Sequence, residues 1–203
     1  SNVISQMILQ IIGQVCWALG IHPGFLTSAT GPIMFGLDGM NQAAYAAGQP
    51  IPNIIGMAFS YSMTIAVLYP AFALAVLIFS KSNQLKTVGK ISIAPAFFGI
   101  SEPLMFGVPV VMNPFMAIPW IISPMVNVLL GWLACSSGLV ARYAGVTVFN
   151  FPMGVTGILN GSFTIAILEV VVCIIDILIF MPFVRIQDKK YLAEEKAAAE
   201  AEQ

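Results

Sequence analysis

Residues 91–114 read Ile-Ser-Ile-Ala-Pro-Ala-Phe-Phe-Gly-Ile-Ser-Glu-Pro-Leu-Met-Phe-Gly-Val-Pro-Val-Val-Met-Asn-Pro, an apolar run broken by prolines and glycines that carries one carboxylate, Glu102. A carboxylate at bilayer depth costs about 2.5–3.5 kcal/mol, so it faces a protein interior or a water-filled cavity and has work to do there. The prolines exclude one continuous helix and predict two short half-segments meeting near Glu102. Non-helical backbone at membrane depth is tolerated only where it is buried in protein or lines a cavity. A broken apolar segment with a polar residue at the break is therefore a pointer to a transport site.

The rest of the chain has the same solvent in view. It is 59% hydrophobic and 8% charged, with a mean hydropathy of +0.92, the composition of a polytopic membrane protein. Hydropathy predicts spans over residues 3–21, 54–79, 114–135 (kinked at Pro119 and Pro124) and 163–183. Residues 25–48, with Asp38 and Asn41, read as helical without being a simple span. Lys81, Lys86 and Lys90 read as a short polar loop, and residues 136–148 as a loop holding Arg142. Residues 149–161, Phe-Asn-Phe-Pro-Met-Gly followed by Gly157, Asn160 and Gly161, are too short and too interrupted to span, so they read as a second re-entrant element. The expected fold class is an all-α membrane protein, a multi-span helical bundle with two re-entrant hairpins of broken half-helices.

Charge divides the chain in two. Residues 185–203 hold four basic and five acidic side chains, whereas the preceding 184 residues hold only Lys81, Lys86, Lys90 and Arg142 with Asp38, Glu102, Glu169 and Asp176. Residues 1–184 are expected to be the membrane-embedded transport region and 185–203 a charged cytoplasmic tail, helical or frayed. Basic residues at 81–90 and 185–190 place both segments, and so the C-terminus, in the cytoplasm of a multi-pass protein. The first residue is Ser, inside what reads as a span, so the chain is expected to be a piece of a longer membrane protein. No basic patch suggests nucleic acid. Cys16, Cys135 and Cys173 are isolated and read as packed thiols, and one histidine gives no metal cluster. No catalytic constellation and no cofactor motif is present.

Each polar residue has two readings. Glu102 is a buried acceptor for sugar hydroxyls or a proton, or it caps a half-helix whose first position suits Pro103. His22 either enters a cavity or ends the first span. Asn113 precedes Pro114 and is a common turn residue. Glu169 and Asp176, seven residues apart on one helical face, form a cation path or, as we favour, are structural acids paired with polar groups from an absent half of the protein. Trp120, Phe149 and Phe151 are either packing or platforms on which a pyranose stacks.

Leu19-Gly-Ile-His22, followed by the stretch from Gly99 to Pro114, resembles the membrane component (EIIC) of bacterial phosphotransferase-system sugar permeases, in particular the lactose/cellobiose/diacetylchitobiose group. Residues 81–90 and 182–189 are similar to that group as well, and the resemblance covers the C-terminal half of such a permease. It implies a bacterial inner-membrane protein, a homodimer at full length with an elevator-like moving domain. It would bind a disaccharide for phosphorylation by soluble EIIB and EIIA partners. By motif match Glu102 and His22 would contact the sugar, with Ser101, Asn113 and Phe149 as further candidates; Asn113 either binds or shapes the hairpin. Four departures stand out. Ser101 replaces an Asn, Pro23 replaces a Gly, Phe149 stands in for a Trp, and Tyr61-Ser-Met-Thr64 replaces Gly-Gly-Ser-Gly. The alternative function is an ion- or proton-coupled transporter using Glu102, Glu169 and Asp176.

Overall fold

A computed structural model of the chain describes residues 2–201. Asn2 caps the first helix, α1 (Val3–Ala18), by accepting the Ile4 N–H. Its 16 residues stop short of the span expected to reach residue 21, because Gly20 adopts φ 76° and turns the chain into His22-Pro23. At 1.5 Å per residue α1 is about 24 Å long, less than the hydrocarbon thickness. α2 (Gly24–Ala46) is one helix that runs through Pro32.

The predicted span over 54–79 begins at Met57 and is not regular. It consists of α3 (Met57–Tyr61), a π-helical turn (Ser62–Ala66) and α4 (Val67–Phe79). Pro70 cannot take up the carbonyl of Ala66, four residues earlier, and the wide turn ends at that carbonyl. The sequence reading contained no such turn. Nor did it contain α5 (Asn83–Phe97), which corrects the expected polar loop. Ser82 caps α5 by accepting the Leu85 N–H, and Lys86 and Lys90 lie inside the helix, where lysine is a good helix former.

The break around Glu102 is present as expected. α5 ends at Phe97, Gly99 sits at φ 76°, and α6 (Glu102–Gly107) is a short second limb. Met112, at φ 58°, then reverses the chain into α7 (Pro114–Ser136). The second interrupted element contains only α8 (Val155–Leu159), flanked by positive φ at Asn150, Gly154 and Gly161. α9 (Phe163–Ala201) is a single helix of 39 residues. Of the two forms expected beyond Arg185, the helix is the one seen, and it continues the span without interruption.

Met57–Phe79, Pro114–Ser136 and Phe163–Ala201 are long and apolar enough to cross a bilayer, and the first is the most enclosed. α4 packs on α9 and α5, α7 packs on α1 and α9, and α8 lies against α9. Two apolar clusters result. One gathers Leu68, Phe72, Leu85, Leu104, Trp120 and Phe180; the other gathers Phe59, Met63, Val67, Val128, Ile165 and Val172.

The loops are held by α2. The Asp38 carboxylate accepts the Ala58 N–H and the Thr147 hydroxyl, both at 2.8 Å. Asn41 donates to the carbonyls of Asn53 and Tyr143 and accepts the Asn53 N–H. Arg142 donates to the carbonyls of Ile51 and Pro52. Asp38 thus caps α3 from another helix, since Gly56 has no side chain to do it, and a Cβ at Gly56 would overlap Asp38 Oδ1.

Candidate functional site: a glutamine-lined cavity

Gln6, Gln10 and Gln14 recur every four residues along α1, whose other residues are apolar except for Ser5, and this spacing puts them on one face. All three wall a cavity of about 180 Å³. Its other walls include Thr27 and Thr30 from α2, Ser60, Tyr61 and Thr64 around the π-helical turn, and Trp17, Tyr69 and Phe149. Gln6 and Gln14 are buried, and Gln14 Oε1 has no hydrogen-bond partner among the described residues. A buried amide oxygen without a partner is costly, so this one can accept from a hydroxyl or a water entering the cavity. Amide donors and acceptors beside aromatic faces suit a ligand with many hydroxyls and an apolar ring face.

The predicted site residues stand around this cavity at different removes. Phe149 is a wall residue, 51% exposed, with its ring 5.2 Å from Tyr61 and 6.4 Å from Phe35, both edge-on. His22 is exposed and is not a wall residue. Its ring stands edge-on to Trp17 at 4.7 Å, and its Nδ1 accepts the Gly24 N–H at 3.1 Å. Ser101 is buried and hydrogen-bonds the hydroxyl of Tyr69, a wall residue. Glu102 itself is exposed, which corrects the expected buried acceptor. It is the first residue of α6, where a short limb ends at the surface of the described chain. Asn113 lies elsewhere. Its Oδ1 caps α7 by accepting the Phe115 and Met116 N–H groups, and the preceding Met112 N–H bonds to Ala18 at the end of α1. Asn113 borders a second cavity, of about 270 Å³, whose other walls are Val15, Ala18, Leu19, Met112, Pro114, Ala117 and Ile121. That cavity is larger, but it lacks convergent polar groups, and the glutamine-lined one is the better candidate for a polar ligand.

The remaining aromatics divide. Trp120 is fully buried and stacked on Tyr69 at 5.7 Å with an interplanar angle of 7°, so it packs the core. Phe151 is half-exposed and is not a wall of the cavity.

Glu169 and Asp176 are both fully buried and find their partners within this chain, which corrects the expectation of partners from elsewhere. Glu169 accepts the hydroxyls of Ser62 and Thr156 and the N–H of Gly154. Asp176 accepts the Asn127 amide at 2.8 Å. Neither acid, nor Glu102, walls either cavity. The glutamine face was missed by the sequence reading, although three amides at spacing four in an apolar helix are a legible signal.

The fold agrees with what the chain is similar to. The family model for "Phosphotransferase system, EIIC" matches residues 1–124, and the chain belongs to that family. It is 36% identical over 206 residues to the PTS system oligo-beta-mannoside-specific EIIC component of Bacillus subtilis (strain 168), covering 98% of this chain and 47% of that protein. It is 34% identical over 206 residues to the PTS system cellobiose-specific EIIC component of Geobacillus stearothermophilus, covering 97% of this chain and 46% of that one. The crystal structure of the transporter ChbC, the IIC component from the N,N'-diacetylchitobiose-specific phosphotransferase system, matches at a TM-score of 0.92 and 35% identity over 96% of this chain and 47% of that chain. The chain spans about half the length of the relatives it matches.

Proposed function

We propose that this chain forms the sugar-binding part of a bacterial permease that works in a phosphoenolpyruvate-dependent sugar phosphotransferase system. The cavity where three α1 glutamines face Trp17, Tyr61, Tyr69 and Phe149 carries the reading. A β-linked disaccharide of the cellobiose, lactose or diacetylchitobiose type is the proposed ligand. Its hydroxyls would pair with Gln6, Gln10 and Gln14, and a pyranose face would rest on Phe149. Glu102 and His22 would close on the sugar from the rim, with Ser101 holding Tyr69 and Asn113 shaping the hairpin. The free volume is below the roughly 300–1,000 Å³ of a typical ligand pocket, consistent with a site that other parts of a larger permease complete.

This chain would bind, orient and gate, and phosphoryl transfer would belong to soluble EIIB and EIIA partners. Phosphorylation makes import one-way, because an anionic sugar cannot return through an apolar path. Residues 1–184 would be the membrane region, in the bacterial inner membrane and in a homodimer. The segment from residue 185 would be cytoplasmic. The Lys81 and Ser82 N–H groups both donate to Asp188 at 2.8 Å, so the two basic segments sit at one end of the bundle, in keeping with that orientation. The test is equilibrium binding of a disaccharide panel to the full-length permease. Saturable binding that weakens in Gln10→Leu and Gln14→Leu supports the site, and equal binding by parent and both variants refutes it.

A further inference from the structure

Tyr61 walls the cavity and touches both hairpins, although of the two only the second, through Phe149, contributes a wall. Its side chain is buried and walls the cavity, and its ring is edge-on to Phe149. Its hydroxyl accepts the Asn150 N–H at 2.7 Å, one residue beyond Phe149. The same hydroxyl faces the first hairpin, because a Cβ on Gly99 would come within 2.7 Å of Tyr61 Oη and 3.5 Å of Asn150 Oδ1. Both contacts fall on left-handed tips, Gly99 at φ 76°, which glycine adopts freely, and Asn150 at φ 59°. A non-glycine residue in the left-handed region persists where its surroundings hold it there. The π-helical turn begins directly after Tyr61; Ser62, the next residue, is bonded to Tyr143 and Glu169. Successive residues are thereby committed to opposite tasks, Ser62 to the core and Tyr61 to the cavity.

We propose that Tyr61 is a specificity-determining and positioning residue: its ring closes one wall of the cavity, and its hydroxyl fixes the second hairpin tip so that Phe149 is held there. This deepens the permease reading and rests on it for the nature of the ligand. The ring limits the size of sugar accepted, and the hydroxyl controls how firmly the tip is held. The two parts separate by substitution. Tyr61→Phe keeps the ring and removes the acceptor for Asn150, whereas Tyr61→Ala opens the wall.

The experiment uses the full-length permease in detergent, with hydrogen exchange over residues 148–154 and equilibrium binding of mono-, di- and trisaccharides. In Tyr61→Phe the segment is expected to exchange about two- to tenfold faster, and affinity to fall by a similar factor for every sugar, as befits one lost hydrogen bond. In Tyr61→Ala the ratio of trisaccharide to disaccharide affinity is expected to rise about tenfold, the order of a steric discrimination in a pocket. Equal exchange in parent and Tyr61→Phe overturns the positioning role. An unchanged size ratio in a folded, sugar-binding Tyr61→Ala overturns the specificity role. A parent that binds no sugar refutes the permease reading and the specificity role with it, while the exchange comparison still decides the positioning role.

Discussion

At the scale of residues, the acids differ in what they are asked to do. Glu102 is exposed beside a hairpin break, whereas Glu169 and Asp176 are enclosed and already bonded. Removing the charge of Glu102 should therefore act on ligand and leave folding alone. Glu102→Gln is expected to weaken sugar binding about tenfold, the size of a hydrogen bond to a charged group, with an unchanged melting curve. Isothermal titration beside thermal unfolding reads both. Phe149 makes a graded prediction. Its ring is half-exposed at the cavity, so Phe149→Trp should retain binding and shift preference among disaccharides, while Phe149→Ala should lose about 0.5–1.5 kcal/mol of affinity. If the Ala variant binds each sugar as the parent does, Phe149 packs and is no platform. What could be read in advance at this scale was the broken backbone: the turn falls at Gly99, where glycine permits it, and Asn113 caps the helix that opens at Pro114. Burial could not be read, because the exposure of Glu102 and the enclosure of Glu169 depend on elements distant in the chain.

At the scale of elements, the second hairpin hangs on α9. Glu169 accepts from Gly154 and Thr156 in the hairpin and from Ser62 in the π-helical turn, joining three elements through one carboxylate. Glu169→Ala leaves the buried Thr156 hydroxyl and the part-buried Gly154 N–H without their acceptor, while Ser62 keeps Tyr143, at about 1–3 kcal/mol, and frees the hairpin. Unfolding in denaturant should show the loss, and protease should cut the 149–161 segment faster. Stability equal to the parent would show that the three bonds contribute nothing. Gly157 makes the companion case, since a Cβ there would overlap the backbone of Ile165 and Ala166. Gly157→Ala should cost about 1–3 kcal/mol as an overpacked contact, because backbone cannot yield as a side-chain tip can. These couplings have no signature in sequence. A glutamate in an apolar span announces that it needs partners without naming them, and sequence pattern does not reveal that an element will take a π-helical turn. The α5 helix was hidden for a simpler reason: three lysines in ten residues look like a loop, although lysine favours helix and Ser82 supplies a cap.

At the scale of the whole molecule, the apolar helices and the family agree, and the proposed ligand cavity lies between α1, α2, the π-helical turn and Phe149 of the second hairpin. Ion coupling would need the acids to share a path. Glu169 and Asp176 instead serve separate internal bonds, and neither borders the cavity. Because the chain spans about half the length of its relatives, it is expected to bind sugar weakly and to move none when alone in liposomes. Accumulation there would refute that expectation. The most direct test of the central claim is sugar uptake by cells expressing the full-length permease, measured with the phosphoryl donor removed and, separately, with the proton gradient collapsed. Uptake should stop without the donor and persist without the gradient. Uptake that follows the gradient and ignores the donor would contradict the account.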